Sequence, residues 1–164
     1  MSLSEATLQK IRDLVATYPE RRTALLPALK LAQAEVGWLP PETIAEAADT
    51  VGVPHAAAFE LAAFYTMLHT EPVAPVQVVV CAQLPCALRG AEGLVRDLQA
   101  GLAPEIQSGS VEVERTSECF GACHRAPMAR VNTTYRENLD ADGRQRLIEE
   151  LRGAPSSPGN GRAH

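Results

Sequence analysis

From Leu8 to about Leu68 the apolar positions recur at three- and four-residue intervals, and prolines rather than strand-like runs separate the segments. This half of the chain is predicted to be helical throughout. Leu8, Ile11, Val15 and Tyr18 form one stripe, and Leu25, Leu29, Ala32 and Val36 form a second that Gly37 and Pro40-Pro41 stop. Pro41 suits the first turn of a third helix, and Pro54 is expected to open a fourth whose face bears Ala58, Leu61, Tyr65 and Leu68. Trp38, Phe59, Phe64 and Tyr65 are expected to pack inside this small bundle. The predicted N-terminal unit covers residues 1–72.

The pattern changes at Glu71-Pro72. Val76 to Cys81 is a β-branched run bounded by prolines, which reads as a buried strand. Leu88, Ala91, Val95, Leu98 and Leu102 then return to helical spacing, and Val111-Glu-Val-Glu alternates like a second strand, completing a β-α-β crossover. Met128 to Val131 and Tyr135 to Glu137 are expected to pair as a hairpin about Asn132-Thr133-Thr134. Leu147, Ile148 and Leu151 mark a closing helix. The fold class is therefore α/β: a helical bundle followed, over residues 73–153, by the minimal thioredoxin-like order β-α-β, β-β-α. Residues 154–164 are rich in proline, glycine and serine with nothing to bury, and are expected to be disordered.

Composition narrows the function. With 164 residues, 46% of them hydrophobic, the chain can build a core without staples. A net charge of −5 and the lack of any Lys/Arg stripe exclude a phosphate-backbone footprint, so no nucleic acid is expected. The N-terminus lacks the basic and apolar regions of a signal peptide, and no stretch is apolar enough to span a bilayer. A cytoplasmic chain without direct membrane insertion is expected. In a reducing compartment the four cysteines read as metal or redox chemistry rather than disulfides.

They come as Cys81-x4-Cys86, at the exit of the first strand, and Cys119-x3-Cys123, in the loop after the second. Parallel strands of one crossover leave the sheet on the same side, so the two pairs converge although 32 residues separate Cys86 from Cys119. Two thiolates per iron is the requirement of a [2Fe–2S] core, and four thiolates also satisfy structural zinc, so the spacing leaves both open. A redox dithiol of the Cys-x-x-Cys type is absent, and a Rieske site lacks a second histidine beside His124. His55, His69 and His164 are expected at the surface. Cys86 is expected at the N-terminal end of the helix through Leu102, where the dipole favours a thiolate. Gly121 is expected to let the backbone approach sulfur with no Cβ in the way. Arg89, His124 and Arg125 are near enough in sequence to raise a potential. No G-x-G-x-x-G, P-loop or hydrolytic triad occurs, so the chain is expected to bind no nucleotide itself and to receive electrons from another protein.

Four ordered motifs, Leu26-Pro-Ala-Leu-Lys-Leu-Ala-Gln with Gly37-Trp38-Leu39, Ala62-Ala-Phe-Tyr-Thr-Met, the Val80 to Glu92 segment around the first cysteine pair, and Glu118-Cys-Phe-Gly-Ala-Cys-His-Arg-Ala-Pro, carry a family resemblance. Together they resemble the thioredoxin-like [2Fe–2S] subunit of respiratory NADH:quinone oxidoreductase (complex I) and its relatives in NAD-dependent formate dehydrogenases and hydrogenases. The resemblance spans roughly Leu8 to Leu151; Glu60, Ala63 and Ala74-Pro75 depart from the family pattern, all away from the cysteines. It implies that Cys81, Cys86, Cys119 and Cys123 are the ligands of one [2Fe–2S] cluster. It also implies a partner subunit that carries FMN and the NAD(H) site, with which this chain exchanges single electrons, and no catalytic centre of its own. The assembly it implies is the respiratory complex, with a formate dehydrogenase or hydrogenase as the alternative.

Overall fold

The side chain of Ser4 accepts a hydrogen bond from the Thr7 amide and so starts α1 (Glu5–Ala16), the first helix of a computed structural model that describes residues 2–153. A 3-10 turn, Arg21–Ala24, leads into α2 (Leu25–Val36), which Gly37 ends at φ +95°. Pro41 occupies the first position of α3 (Pro41–Val51) as expected. α4 runs His55–Phe64, so Pro54 caps this helix from outside instead of opening it.

These four helices bury Ile11, Leu25, Leu29, Leu39, Ile44 and Val51 in one core. Carboxylates hold the entry to α1: Glu46 accepts from Ser2 and from the Leu3 amide, both at 2.7 Å, and Glu35 accepts from the Ser4 amide at 2.8 Å. Two of the aromatic residues expected inside lie outside. Phe59 is exposed and Phe64 is 77% exposed, its ring edge-on to Tyr65, because α4 has no one-sided apolar stripe and only its Ala58 and Ala62 face is buried.

The chain divides at Val73/Ala74 into two units, each with a core of its own. In the second, β1 (Val76–Cys81) pairs in parallel with β2 (Val111–Thr116) from Val76↔Val111 to Cys81↔Thr116. On its other side β1 pairs antiparallel with β3 (Ala129–Val131), which pairs with β4 (Thr134–Arg136), giving the order β2-β1-β3-β4. The thioredoxin-like strand and helix order is therefore present. Val78, Val80, Ala129 and Val131 pack with Leu94, Leu98, Leu147 and Leu151 of the helices α6 (Ala91–Gly101) and α8 (Ala141–Leu151).

The helix expected from Leu88 to Leu102 breaks at Arg89-Gly90. A five-residue helix, α5 (Leu84–Leu88), ends before Gly90 at φ +91°, α6 follows, and α7 (Ala103–Gln107) takes up the turn before β2. The hairpin is tighter than expected, with only Asn132 and Thr133 between the strands. Asn132 takes the left-handed conformation at φ +52°, and its side chain bonds the Gln77 amide at 2.8 Å, which replaces the missing glycine. Among the described residues no helix is long and apolar enough to cross a membrane. Residues 154–164, expected to be disordered, lie outside the described range.

Candidate functional site

Cys81 is the last residue of the central strand and is tied down from both sides. Its amide donates to Met128 O at 3.2 Å, and the next amide, Ala82, donates to Thr116 O at 2.8 Å. The chain then turns into α5, which folds Cys86 back into the interior, so that Cys81 and Cys86 are each 1% exposed. The side-chain amide of Gln83 donates to Ser117 O, joining the loop after β1 to the loop after β2. Cys119 and Cys123 lie in that second loop, both exposed, with their sulfurs 3.7 Å apart. The Gly121 amide donates to Cys119 Sγ at 3.4 Å.

The thiols perturb one another. Burial, then the Cys81 thiol against it, pushes Cys86 up to about 11, while a hydrogen bond from the Met128 backbone works the other way. Cys123 is raised chiefly by Cys119, then by burial, with Cys81 adding to the effect. Cys123 in turn acts on Cys86, so the inner and outer pairs lie within electrostatic reach of each other. A bound cation would favour the thiolate forms of Cys86 and Cys123 that their neighbours oppose. A tetrahedral centre with metal–thiolate bonds of about 2.3 Å sets its two sulfurs about 3.8 Å apart, close to the spacing of the outer pair. Among the described residues no three His, Cys, Asp or Glu side chains gather closely enough to hold one metal ion; the sulfurs come in pairs.

Several local expectations change. Cys86 lies within α5, not at the start of a long helix, and its thiol is raised instead of lowered because desolvation dominates. Gly121 is required by its φ of +77°, not by crowding, since a Cβ there would meet nothing within 4 Å. Arg125 is neutralised locally by Glu137 and also bonds His124, and Arg89 is exposed. Sequence reasoning missed Phe120, whose ring lies 5.5 Å from that of Tyr135 and beneath the guanidinium of Arg130. A charged residue inside the apolar run Ala126–Val131 was the signal.

The model of the thioredoxin-like [2Fe-2S] ferredoxin family matches residues 11–152. An NADH-quinone oxidoreductase subunit of Rhizobium meliloti is 38% identical over 151 residues, 89% of each chain. The corresponding subunit of the same enzyme from Rickettsia bellii is 32% identical over 157 residues, covering 92% of this chain and 94% of the relative. Among solved structures, an NAD+-reducing [NiFe]-hydrogenase in its H2-reduced state superposes with a TM-score of 0.67 at 25% identity over 80% of this chain. This chain spans only 22% of that hydrogenase chain.

Proposed function

Because the chain belongs to the thioredoxin-like [2Fe-2S] ferredoxin family, we propose that Cys81, Cys86, Cys119 and Cys123 hold one [2Fe–2S] cluster, and that the chain exchanges single electrons with the FMN of an NADH-binding partner subunit in an NADH–quinone oxidoreductase. The observation that carries this reading is the meeting of a buried and an exposed cysteine pair at one end of the sheet, the outer sulfurs already 3.7 Å apart. Two thiolates for each of two metal centres is the donor set a two-iron core takes, and the residues fit it. When bound, the cluster supplies a one-electron centre, the complement of a flavin that accepts hydride from NADH.

The chain's own residues hold and insulate that centre. Cys81 and Cys86 grip it from the interior, where the core around Val80, Ala126 and Met128 keeps water away. Cys119 and Cys123 close it from outside on a loop that Gln83 ties to the inner one. The Gly121 amide stabilises negative charge on the Cys119 sulfur. Leu84 and Leu88 flank Cys86 on α5, 67% and 79% exposed, and offer the partner an apolar landing beside the site. No nucleotide or nucleic acid is assigned to this chain, and its place at the cytoplasmic face of a membrane comes through the complex.

The likeness to the hydrogenase structures favours a second reading in which the same centre serves an NAD-linked hydrogenase. Iron and acid-labile sulfide analysis of anaerobically prepared protein, with EPR after dithionite reduction, tests the core of both. About two irons and two sulfides per chain with an S = 1/2 signal are expected; stoichiometric zinc, with no iron taken up on reconstitution, overturns them. Co-purification with a flavoprotein and quinone-binding subunits, against a nickel subunit, separates the two assemblies.

A further inference from the structure

Arg130 lies in β3 among buried neighbours, Met128, Ala129 and Val131, and is itself half-buried. Its Nε is fully enclosed with no hydrogen-bond partner. Arg125, Arg136 and Arg144 are paired with Glu137, Glu150 and Asp97, whereas Arg130 makes no ion pair among the described residues. What its guanidinium does touch is the ring of Phe120, 5.9 Å to the centroid, and Phe120 directly follows Cys119. The ladder supplies the other half of the placement. Arg130 stands opposite Val79, and Cys81, two residues further along β1, shares the face of Val79. Diagonal neighbours of this kind are about 7–8 Å apart, within reach of an arginine. Glu114, opposite Val79 on the far side of β1, is exposed and one strand removed.

A half-buried cation without a counter-ion is unfavourable in an isolated fold, and none of the described residues pairs with it. Four thiolates around a two-iron core are net negative, and more so after one electron is added. We propose that Arg130, held by Phe120 over the sheet face that bears Cys81, is the fixed counter-charge of the cluster and raises its reduction potential by favouring the reduced state. The inference rests on the proposed function. It makes Arg130 a positioning charge, not a ligand.

The test uses the full chain loaded with iron and sulfide, as wild type and as Arg130→Met, Arg130→Gln and Arg130→Lys. EPR-monitored redox titration is expected to give a more negative midpoint potential for the two neutral variants and a value nearer wild type for the lysine variant. Thermal unfolding gives an independent readout: Arg130→Met is expected to lower the melting temperature of the loaded chain while leaving that of the metal-free chain unchanged or higher. Neutral variants that keep the metal-free melting temperature but fail to retain the cluster express the same counter-charge as affinity and support the proposal. Loaded neutral variants with the wild-type potential overturn it, as does an equal loss of stability in both forms, which marks a merely structural residue. A wild-type chain that takes up neither iron nor sulfide overturns the proposed function first, and this inference with it.

Discussion

At the scale of single residues, the four cysteines are not equivalent. The thiolate is the reactive form of cysteine. With Cys86 pushed up to about 11 by burial and by Cys81, only about one Cys86 in a thousand is ionised at pH 8 in the metal-free chain. Iodoacetamide is therefore expected to label Cys119 and Cys123 first, with Cys86 resisting until the pH approaches 11; peptide mass mapping over a pH series reads the order directly. Early labelling of Cys86 at neutral pH would contradict the burial described here. The cysteine positions were legible in the sequence because their spacing is local and because parallel strands must leave a sheet on one side. The electrostatic setting was not, since it depends on how deeply α5 turns Cys86 inward and on Glu137 reaching Arg125 across the loop.

At the scale of elements, β1 is legible residue for residue because a β-branched run between prolines admits few alternatives. The break in the helix after it is not, since Leu88, Ala91 and Val95 keep helical spacing across Gly90 and periodicity cannot register a left-handed residue between two helices. Phe59 and Phe64 went astray for a related reason. Residues apolar on every side of a helix do not say which side is covered. Packing between α6 and α8 is closer than any pattern reveals: a Cβ on Gly101 would lie 2.7 Å from Ile148 Cδ1 and 2.8 Å from its Cγ2. Gly101→Ala is thus expected to cost about 1–3 kcal/mol through overpacking, despite the better helix propensity of alanine. Urea unfolding of the metal-free chain measures it, and a variant as stable as wild type would show that Ile148 moves aside freely.

At the scale of the whole molecule, the chain is similar to subunits and segments of larger assemblies. It nearly matches the length of its NADH-quinone oxidoreductase relatives yet spans only 22% of the hydrogenase chain it resembles, so there the same fold is part of a much longer polypeptide. Among the described residues, Leu84 and Leu88 are the exposed large apolar side chains nearest the cysteines in sequence. On the proposed function, Leu84→Glu with Leu88→Glu is expected to weaken association with the proposed flavin-bearing partner by at least tenfold, as for loss of an apolar anchor of about 1–2 kcal/mol or more, with iron and sulfide content unchanged. Binding measured by titration calorimetry at wild-type strength would move the interface elsewhere.

The site has an inner wall and an outer door. Its inner half, Cys81 and Cys86, is built into the central strand and its adjoining core, and persists for as long as the second unit stays folded. Its outer half, Cys119 and Cys123, faces solvent on a loop. If the proposed cluster is bound, the exposed outer pair is the half that oxygen, chelators and a delivery protein would meet first. On the proposed reading, wear and repair would then share that outer side, and a damaged centre would be refilled without unfolding the sheet that supports it.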